Sequence, residues 1–293
     1  MIARVKEIVL NEYMIELEDG KEVKASLRGN IKKKSGILVG DFVFVVLTYD
    51  RYMIEKILPR KNSIIRPPVA NIDNLVIVVS LAAPSPDFYL LDKQIVLAIS
   101  KGILPIIVIN KIDLNISDKT KEDLEYINNT YGKLGICIIM VSAKENIGID
   151  TLKEKLHGKV SAFSGNSGVG KSSIINNIFG VNTQTSEVSV KAKRGRHTTK
   201  HVKIYKEENM YILDTPGFSS YEIYGIEYRE LKNYYEDFKE FKCDYLDCNH
   251  VFESDKVCGV KKAINEGKID KKRFERYIEL FKKLKEDYDR KYK

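Results

Sequence analysis

Gly165-Asn166-Ser167-Gly168-Val169-Gly170-Lys171-Ser172 is the stretch on which the fold turns. The apolar run Val160–Phe163 before it reads as a strand, and the residues from Lys171 onward read as a helix. A strand, a glycine-rich turn and a helix in that order make a P-loop. The glycines let the backbone curl, so that successive N–H groups from Gly165 to Ser173 point inward at phosphates. Lys171 is expected to reach the β- and γ-phosphates and the Ser172 hydroxyl to bind Mg²⁺. The helix adds its positive end to the same place.

Working outward from that loop, Asn110-Lys111-Ile112-Asp113 follows the apolar run Ile106–Ile109. A carboxylate here can accept two hydrogen bonds, from guanine N1–H and N2–H₂. Adenine lacks that pair of donors, and the unpaired carboxylate would cost several kcal/mol. Asn110 supports the purine edge, and the Lys111 stem is expected along the ring. One strand later, Ser142-Ala143-Lys144 should offer a backbone N–H to guanine O6. Both base-reading segments precede the P-loop, whereas ordinary GTPases place the P-loop first. A sheet survives such circular permutation when the original ends lie close together.

Asp214-Thr215-Pro216-Gly217 ends the run Met210–Leu213. Asp214 is suited to hold Mg²⁺ through a water, and the Gly217 amide to sense the γ-phosphate. Between the P-loop helix and an antiparallel strand expected at His201–Lys206 lies a basic loop. Residues Lys191 to Lys203 hold six Lys or Arg and no acid, which suits a loop ordered by γ-phosphate and RNA. Thr198 or Thr199 should complete the Mg²⁺ shell, Thr199 being favoured. Phe218 stands where many GTPases carry a water-orienting glutamine, so intrinsic hydrolysis should be slow. His197 is the candidate catalytic residue, because imidazole can orient or deprotonate water near neutral pH. Contact with RNA is the competing role for that histidine.

Alternation of a different kind fills the first region. Ile2–Leu10, Tyr13–Glu18, Glu22–Leu27, Phe42–Thr48 and Tyr52–Leu58 read as five short strands, with Asp19-Gly20 as a hairpin turn. That spacing matches an OB-fold barrel, a fold that commonly binds RNA or sugars. Asn62-Ser63 and Pro67-Pro68 mark a linker. The α/β region follows, with further strands at Leu75–Val79 and Ile136–Val141 and helices at Leu90–Ser100, Lys119–Tyr131 and Leu152–His157. From about residue 226 the chain is charged and aromatic, with a core that looks thin. Phe274, Tyr277, Ile278, Phe281, Leu284 and Tyr288 share one helical face, read as packing inward. The expected domains are thus 1–65, 66–225 and 226–293.

Cys243-x₄-Cys248-x-His250-x₇-Cys258 supplies three thiols and one imidazole, the ligand set of a closed, structural Zn²⁺ site. Cys137 reads as a core residue. The chain has no signal-peptide pattern, and its longest apolar runs, Leu75–Val79 and Ile103–Ile109, are too short to cross a bilayer. A cytoplasmic protein is expected, with no membrane or DNA partner and nothing that demands more than a monomer. The net charge of +8 permits a polyanionic partner without requiring one.

Assembled in order, the segments are a β-domain, Asn-Lys-x-Asp, Ser-Ala-Lys, the P-loop, Gly195-Arg196-His197-Thr198-Thr199, Asp-Thr-Pro-Gly-Phe and Cys₃His. The pattern resembles the ribosome small subunit-dependent GTPase A family of bacteria over nearly the whole chain. The resemblance implies an OB-fold, a permuted GTPase domain and a zinc domain. It implies GTP/GDP as the nucleotide, Mg²⁺, and action late in small-subunit maturation, with hydrolysis stimulated by the subunit and rRNA contacted by the flanking domains. The seven residues between His250 and Cys258 exceed the family spacing, which leaves Cys258 the least supported ligand. A GTP-gated RNA-binding module with slow, unstimulated hydrolysis is the alternative. Asp113 and Ser-Ala-Lys oppose an ATP-dependent kinase, and the closed ligand set opposes a zinc-delivery GTPase. Because the chain runs from Asp-Thr-Pro-Gly toward the cysteines, the γ-phosphate state is expected to reach that region.

Overall fold

A computed structural model describes residues 1–10, 12–28, 36–114, 117–180, 202–214, 223 and 225–291. Strands β1 (Ile2–Val9), β2 (Glu12–Leu17), β3 (Glu22–Leu27), β4 (Phe42–Thr48) and β5 (Arg51–Ile57) pair in the order 1-2-3-5-4. β4 then returns to pair with β1, closing an OB-fold barrel. Alternation explains the filling, with Val5, Ile15, Val43, Val45 and Ile54 pointing inward and fully buried. Leu47 continues the inward series by register but lies half exposed, because β4 has by then passed the end of the core.

The stretch read as a linker is an ordered joint. Ser63–Ile64 (β6) pairs with Val69–Ala70 (β7), and Ile64, Val69, Ala70 and Ile72 are buried. Two asparagine side chains stand in for strand ladders there. Asn62 donates to the Ile72 carbonyl at 2.8 Å and accepts from its N–H at 2.9 Å. Asn71 accepts from the Lys61 N–H and donates to the Gly40 carbonyl. Turn-forming residues marked the bend, but their amides tie it down rather than loosen it.

The next six strands are β8 (Asn74–Ser80), β9 (Leu104–Asn110), β10 (Cys137–Met140), β11 (Val160–Ser164), β12 (Lys203–Glu207) and β13 (Met210–Asp214). They run in the order 10-9-8-11-13-12, all parallel except β12, which is antiparallel to β13 as the sequence suggests. Helices α1 (Phe88–Ser100) and α2 (Asp118–Thr130) cover one face, above Leu75, Ile77 and Val79. Helices α3 (Ile149–Leu156) and α4 (Lys171–Ile178) cover the other, above Val76 and Val78. Burial on both faces is why these strands read as unbroken apolar runs.

The last region carries α5 (Gly259–Asn265) and α6 (Lys271–Lys291). Its core is larger than its charged sequence suggests: Tyr235, Phe238, Phe274, Tyr277 and Phe281 are buried together with Val96 of α1. Edge-on ring contacts link them, as between Tyr235 and Tyr277 at 4.9 Å. The α6 stripe faces this core as expected, with Tyr288 packed edge-on against Tyr228. Among the described residues no helix is long and apolar enough to cross a membrane.

Candidate nucleotide site and metal centre

Parallel strands β8, β9, β10, β11 and β13 all end at one edge of the sheet, and a candidate motif leaves four of them there. Ligands of open α/β sheets bind at that edge. Asn110 is the last residue of β9, and its buried side chain joins two loops. Its Nδ2 donates to the Val169 carbonyl of the P-loop at 2.8 Å, and its Oδ1 accepts from the Ala143 N–H at 3.1 Å. Gly170 has a left-handed φ of 95°, and a Cβ there would overlap the Asn110 amide nitrogen. Glycine at this position is what lets the two segments touch.

The Lys111 ammonium donates to the Ala83 carbonyl at 2.5 Å and the Gly168 carbonyl at 2.8 Å, so its head clamps the P-loop to the β8–α1 loop. Sequence reasoning foresaw only the stem. Asp113 accepts a 2.6 Å hydrogen bond from the Ser142 hydroxyl, which holds its carboxyl below the usual range and keeps it an ionised acceptor. Ser142 is fully buried and also accepts from the Glu145 N–H, fixing the turn through Ala143 and Lys144. Lys171 caps the mouth of the P-loop, its ammonium donating to the carbonyls of Gly165 and Asn166 at 2.7 and 2.8 Å. Ser167 and Gly168 are exposed on the loop, Val169 anchors it in the core, and Ser172 and Ser173 are exposed in the first turn of α4.

Asp214 ends β13, where its backbone pairs with Lys203. His197, Thr198, Thr199, Gly217 and Phe218 lie outside the described residues.

In the last region, Cys243, Cys248, His250 and Cys258 converge, with all four ligand atoms within 4.8 Å of one another. His250 Nδ1 stands 3.5, 3.4 and 3.4 Å from the sulfurs of Cys243, Cys248 and Cys258, and Cys243 Sγ is 3.8 Å from Cys258 Sγ. A tetrahedral zinc with bonds of about 2.3 Å to sulfur and about 2.0 Å to nitrogen needs edges of roughly 3.8 and 3.5 Å. The donor set therefore fits one zinc ion.

Cys258, the least supported ligand in the sequence, is fully buried and caps the N-terminus of α5, its sulfur accepting from the Lys261 N–H at 3.5 Å. The long loop before it is tied by Lys261, which donates to the carbonyls of Val251 and Glu253. A Cβ at Gly259 would overlap the Lys242 carbonyl, so glycine allows the segments bearing Cys243 and Cys258 to meet. Burial pushes the Cys248 and Cys258 thiols up and the His250 imidazole down to about 4. The histidine is thus neutral and ready to ligate, while the thiols need a cation to become thiolates.

The Asn110–Asp113 segment touches the P-loop in space and Ser142–Lys144 touches the helix it opens, although both precede it in the chain, which defines a P-loop GTPase of circularly permuted order. The model of the RsgA GTPase family matches residues 57–224, and the chain belongs to that family. A relative from Caldanaerobacter subterraneus, "Small ribosomal subunit biogenesis GTPase RsgA", is 41% identical, with 96% of this chain and 95% of that protein covered. The protein of the same name from Thermotoga maritima is 40% identical, covering 94% and 95%. Among solved structures, YjeQ from Thermotoga maritima superposes with a TM-score of 0.83 at 35% identity, covering 97% of this chain and 98% of that one. YloQ, described as a circularly permuted GTPase, gives 0.81 at 28% identity, covering 98% and 95%.

Proposed function

We propose that this GTPase binds the small ribosomal subunit through its rRNA and assists late maturation of that subunit, which in turn stimulates hydrolysis. The observation that carries the nucleotide part is the Asp113 carboxylate, held ready by Ser142 on a loop that Asn110 and Lys111 fasten to the P-loop. The subunit part rests on relatives of near full length whose names specify small-subunit biogenesis.

In this reading Asp113 accepts from guanine N1–H and N2–H₂, the turn at Ser142, Ala143 and Lys144 donates to O6, and residues 165–173 wrap the phosphates. Lys171 then exchanges its carbonyl partners for phosphate oxygens. Ser172, Thr199 and, through a water, Asp214 would hold Mg²⁺, which would supply charge neutralisation at the transferred phosphoryl group. Water attacks the γ-phosphorus and the bond to the GDP oxygen breaks. His197 orients that water, and the Gly217 amide senses the γ-phosphate.

Cys243, Cys248, His250 and Cys258 hold one structural zinc with no open position. The three functional units are 1–65, 66–225 and 226–293, the chain acts as a cytoplasmic monomer, and the γ-phosphate state is passed to the zinc region. GTP turnover with purified small subunits, large subunits serving as control, tests the reading. Strong stimulation by small subunits alone is expected. Equal, slow turnover in every case would favour a GTP-gated RNA-binding module instead.

A further inference from the structure

The turn at Ser142–Lys144 is gripped from a side that neither the P-loop nor the guanine motifs account for. Asn177, in the last turn of α4, donates from Nδ2 to the Ala143 carbonyl at 2.6 Å. A carbonyl only accepts, so the amide nitrogen is the one end of Asn177 that can face it. Ala143 C=O and Lys144 N–H are two ends of one planar trans peptide and point in opposite directions. Whatever holds the carbonyl therefore aims the Lys144 N–H.

The neighbouring donors are already engaged. The Ala143 N–H goes to Asn110 Oδ1 and the Glu145 N–H to Ser142 Oγ. Among the described residues the Lys144 N–H has no acceptor. It lies two residues after Ser142, whose hydroxyl donates to Asp113. A donor at that place, beside a carboxylate suited to N1–H and N2–H₂, matches guanine O6.

We infer that Asn177 is a positioning residue for guanine recognition, holding the Ala143–Lys144 peptide so that the Lys144 N–H meets O6. The inference rests on the guanine-site reading above. Polarising the carbonyl end also strengthens the N–H end as a donor. Asn177 stands on the helix that the P-loop opens, so the phosphate-binding helix and the O6-reading peptide are held in one frame. The residue is invisible to motif reading because it lies beyond the P-loop pattern and acts on a backbone atom distant in sequence.

Three diphosphates separate this role from a merely structural one. GDP offers O6, N1–H and N2–H₂. IDP keeps O6 but lacks the 2-amino group, and 6-thio-GDP keeps both donors but replaces O6 by sulfur, a weak acceptor. The wild-type protein should bind GDP more tightly than either analogue.

In Asn177→Ala, affinity for GDP and IDP should each fall by about two- to tenfold, the loss of one modest hydrogen bond. Affinity for 6-thio-GDP should change by less than about twofold, so the GDP preference over the thio analogue narrows. Asn177→Asp, which sets a carboxylate oxygen against the carbonyl, should weaken GDP at least as much. Equal losses for all three nucleotides, or none for GDP, would overturn the inference. A wild-type protein that discriminates against IDP but not 6-thio-GDP would also overturn it while sparing the role of Asp113. Failure to discriminate against either analogue would remove the guanine-site reading itself.

Discussion

The barrel and the zinc region are fastened to the central sheet by opposite means. The barrel meets it at an edge, where β1 pairs with β12 through one register pair, Glu7 with Lys203. Ion pairs support this seam: Lys203 to Glu7 at 3.3 Å and Lys206 to Glu16 at 2.5 Å, with both lysines about a third exposed. The Arg4 guanidinium lies between the rings of Phe42 and Tyr211, 4.7 and 4.1 Å from their centroids.

The zinc region instead buries its charges against α1. Asp92 accepts from both Arg273 and Arg276, and Arg273 also reaches Asp237 at 3.0 Å. The side chains of Asp92 and Arg273 are each only 1% exposed. Around them, Arg276 donates to the Tyr126 hydroxyl at 2.8 Å, and that hydroxyl donates to Asp270 at 2.7 Å.

The lysines of these pairs stay about a third exposed although their carboxylates are largely buried, so the pairs are more screened than the Asp92 cluster and cost less to part. Buried charges tolerate no separation, because each would be left without a partner. The zinc region therefore moves with α1 or not at all. Leu90, Leu91 and Gln94 of α1 line the same small cavity as Gly165 and Asn166, which puts that helix beside the P-loop.

The strongest way to break this contrast is to take away the metal. Structural zinc contributes an apparent 10–16 kcal/mol in small domains, roughly. Chelation, or Cys258→Ala, should abolish hydrogen-exchange protection across α5 and α6 while leaving the barrel strands protected. Equal loosening of the barrel would show that the two attachments are not independent. Because the buried thiols are held protonated and His250 is neutral above about pH 5, binding should release thiol protons only. Zinc affinity should accordingly rise with pH between about 6 and 8. A pH-independent affinity in titration calorimetry would contradict the buried-thiol picture.

A smaller effect is expected from Asp92→Ala, which strands two arginines in the α1 interface. A loss of about 3–5 kcal/mol in denaturant unfolding is predicted. A change below about 1 kcal/mol would mean that water reaches the arginines. Smallest of all, Glu7→Ala at the barrel seam should cost at most about 1 kcal/mol and less in high salt.

The segments that meet at the strand ends were readable from sequence because each is local. A P-loop, Asn-Lys-x-Asp and Ser-Ala-Lys each follow an apolar strand within a few residues. The convergence of three cysteines and a histidine was readable for the same reason, down to the capping Cys258 that the loop length had left weakly supported. What escaped reading is non-local. Asp92 sits in a helix apolar enough that a lone acid looks like its solvent face, and its partners Arg273 and Arg276 follow about 180 residues later. Asn62 read only as a linker residue and Asn71 gave no signal, because only the folded joint supplies the backbone groups they bond. The core of the zinc region looked thin because its aromatic residues are spaced among charges and gather only when folded.

We propose that the permuted chain still builds one guanine-reading site with Asp113 at its base. Asp113→Asn tests it most directly, with GDP and xanthosine diphosphate affinities measured side by side. Xanthine carries an oxygen where guanine carries its 2-amino group, so an amide donor at this position suits it better than a carboxylate does. The account predicts that GDP binding falls by at least about tenfold and that binding of the xanthine nucleotide rises, reversing the preference. GDP binding unchanged by the substitution would contradict it.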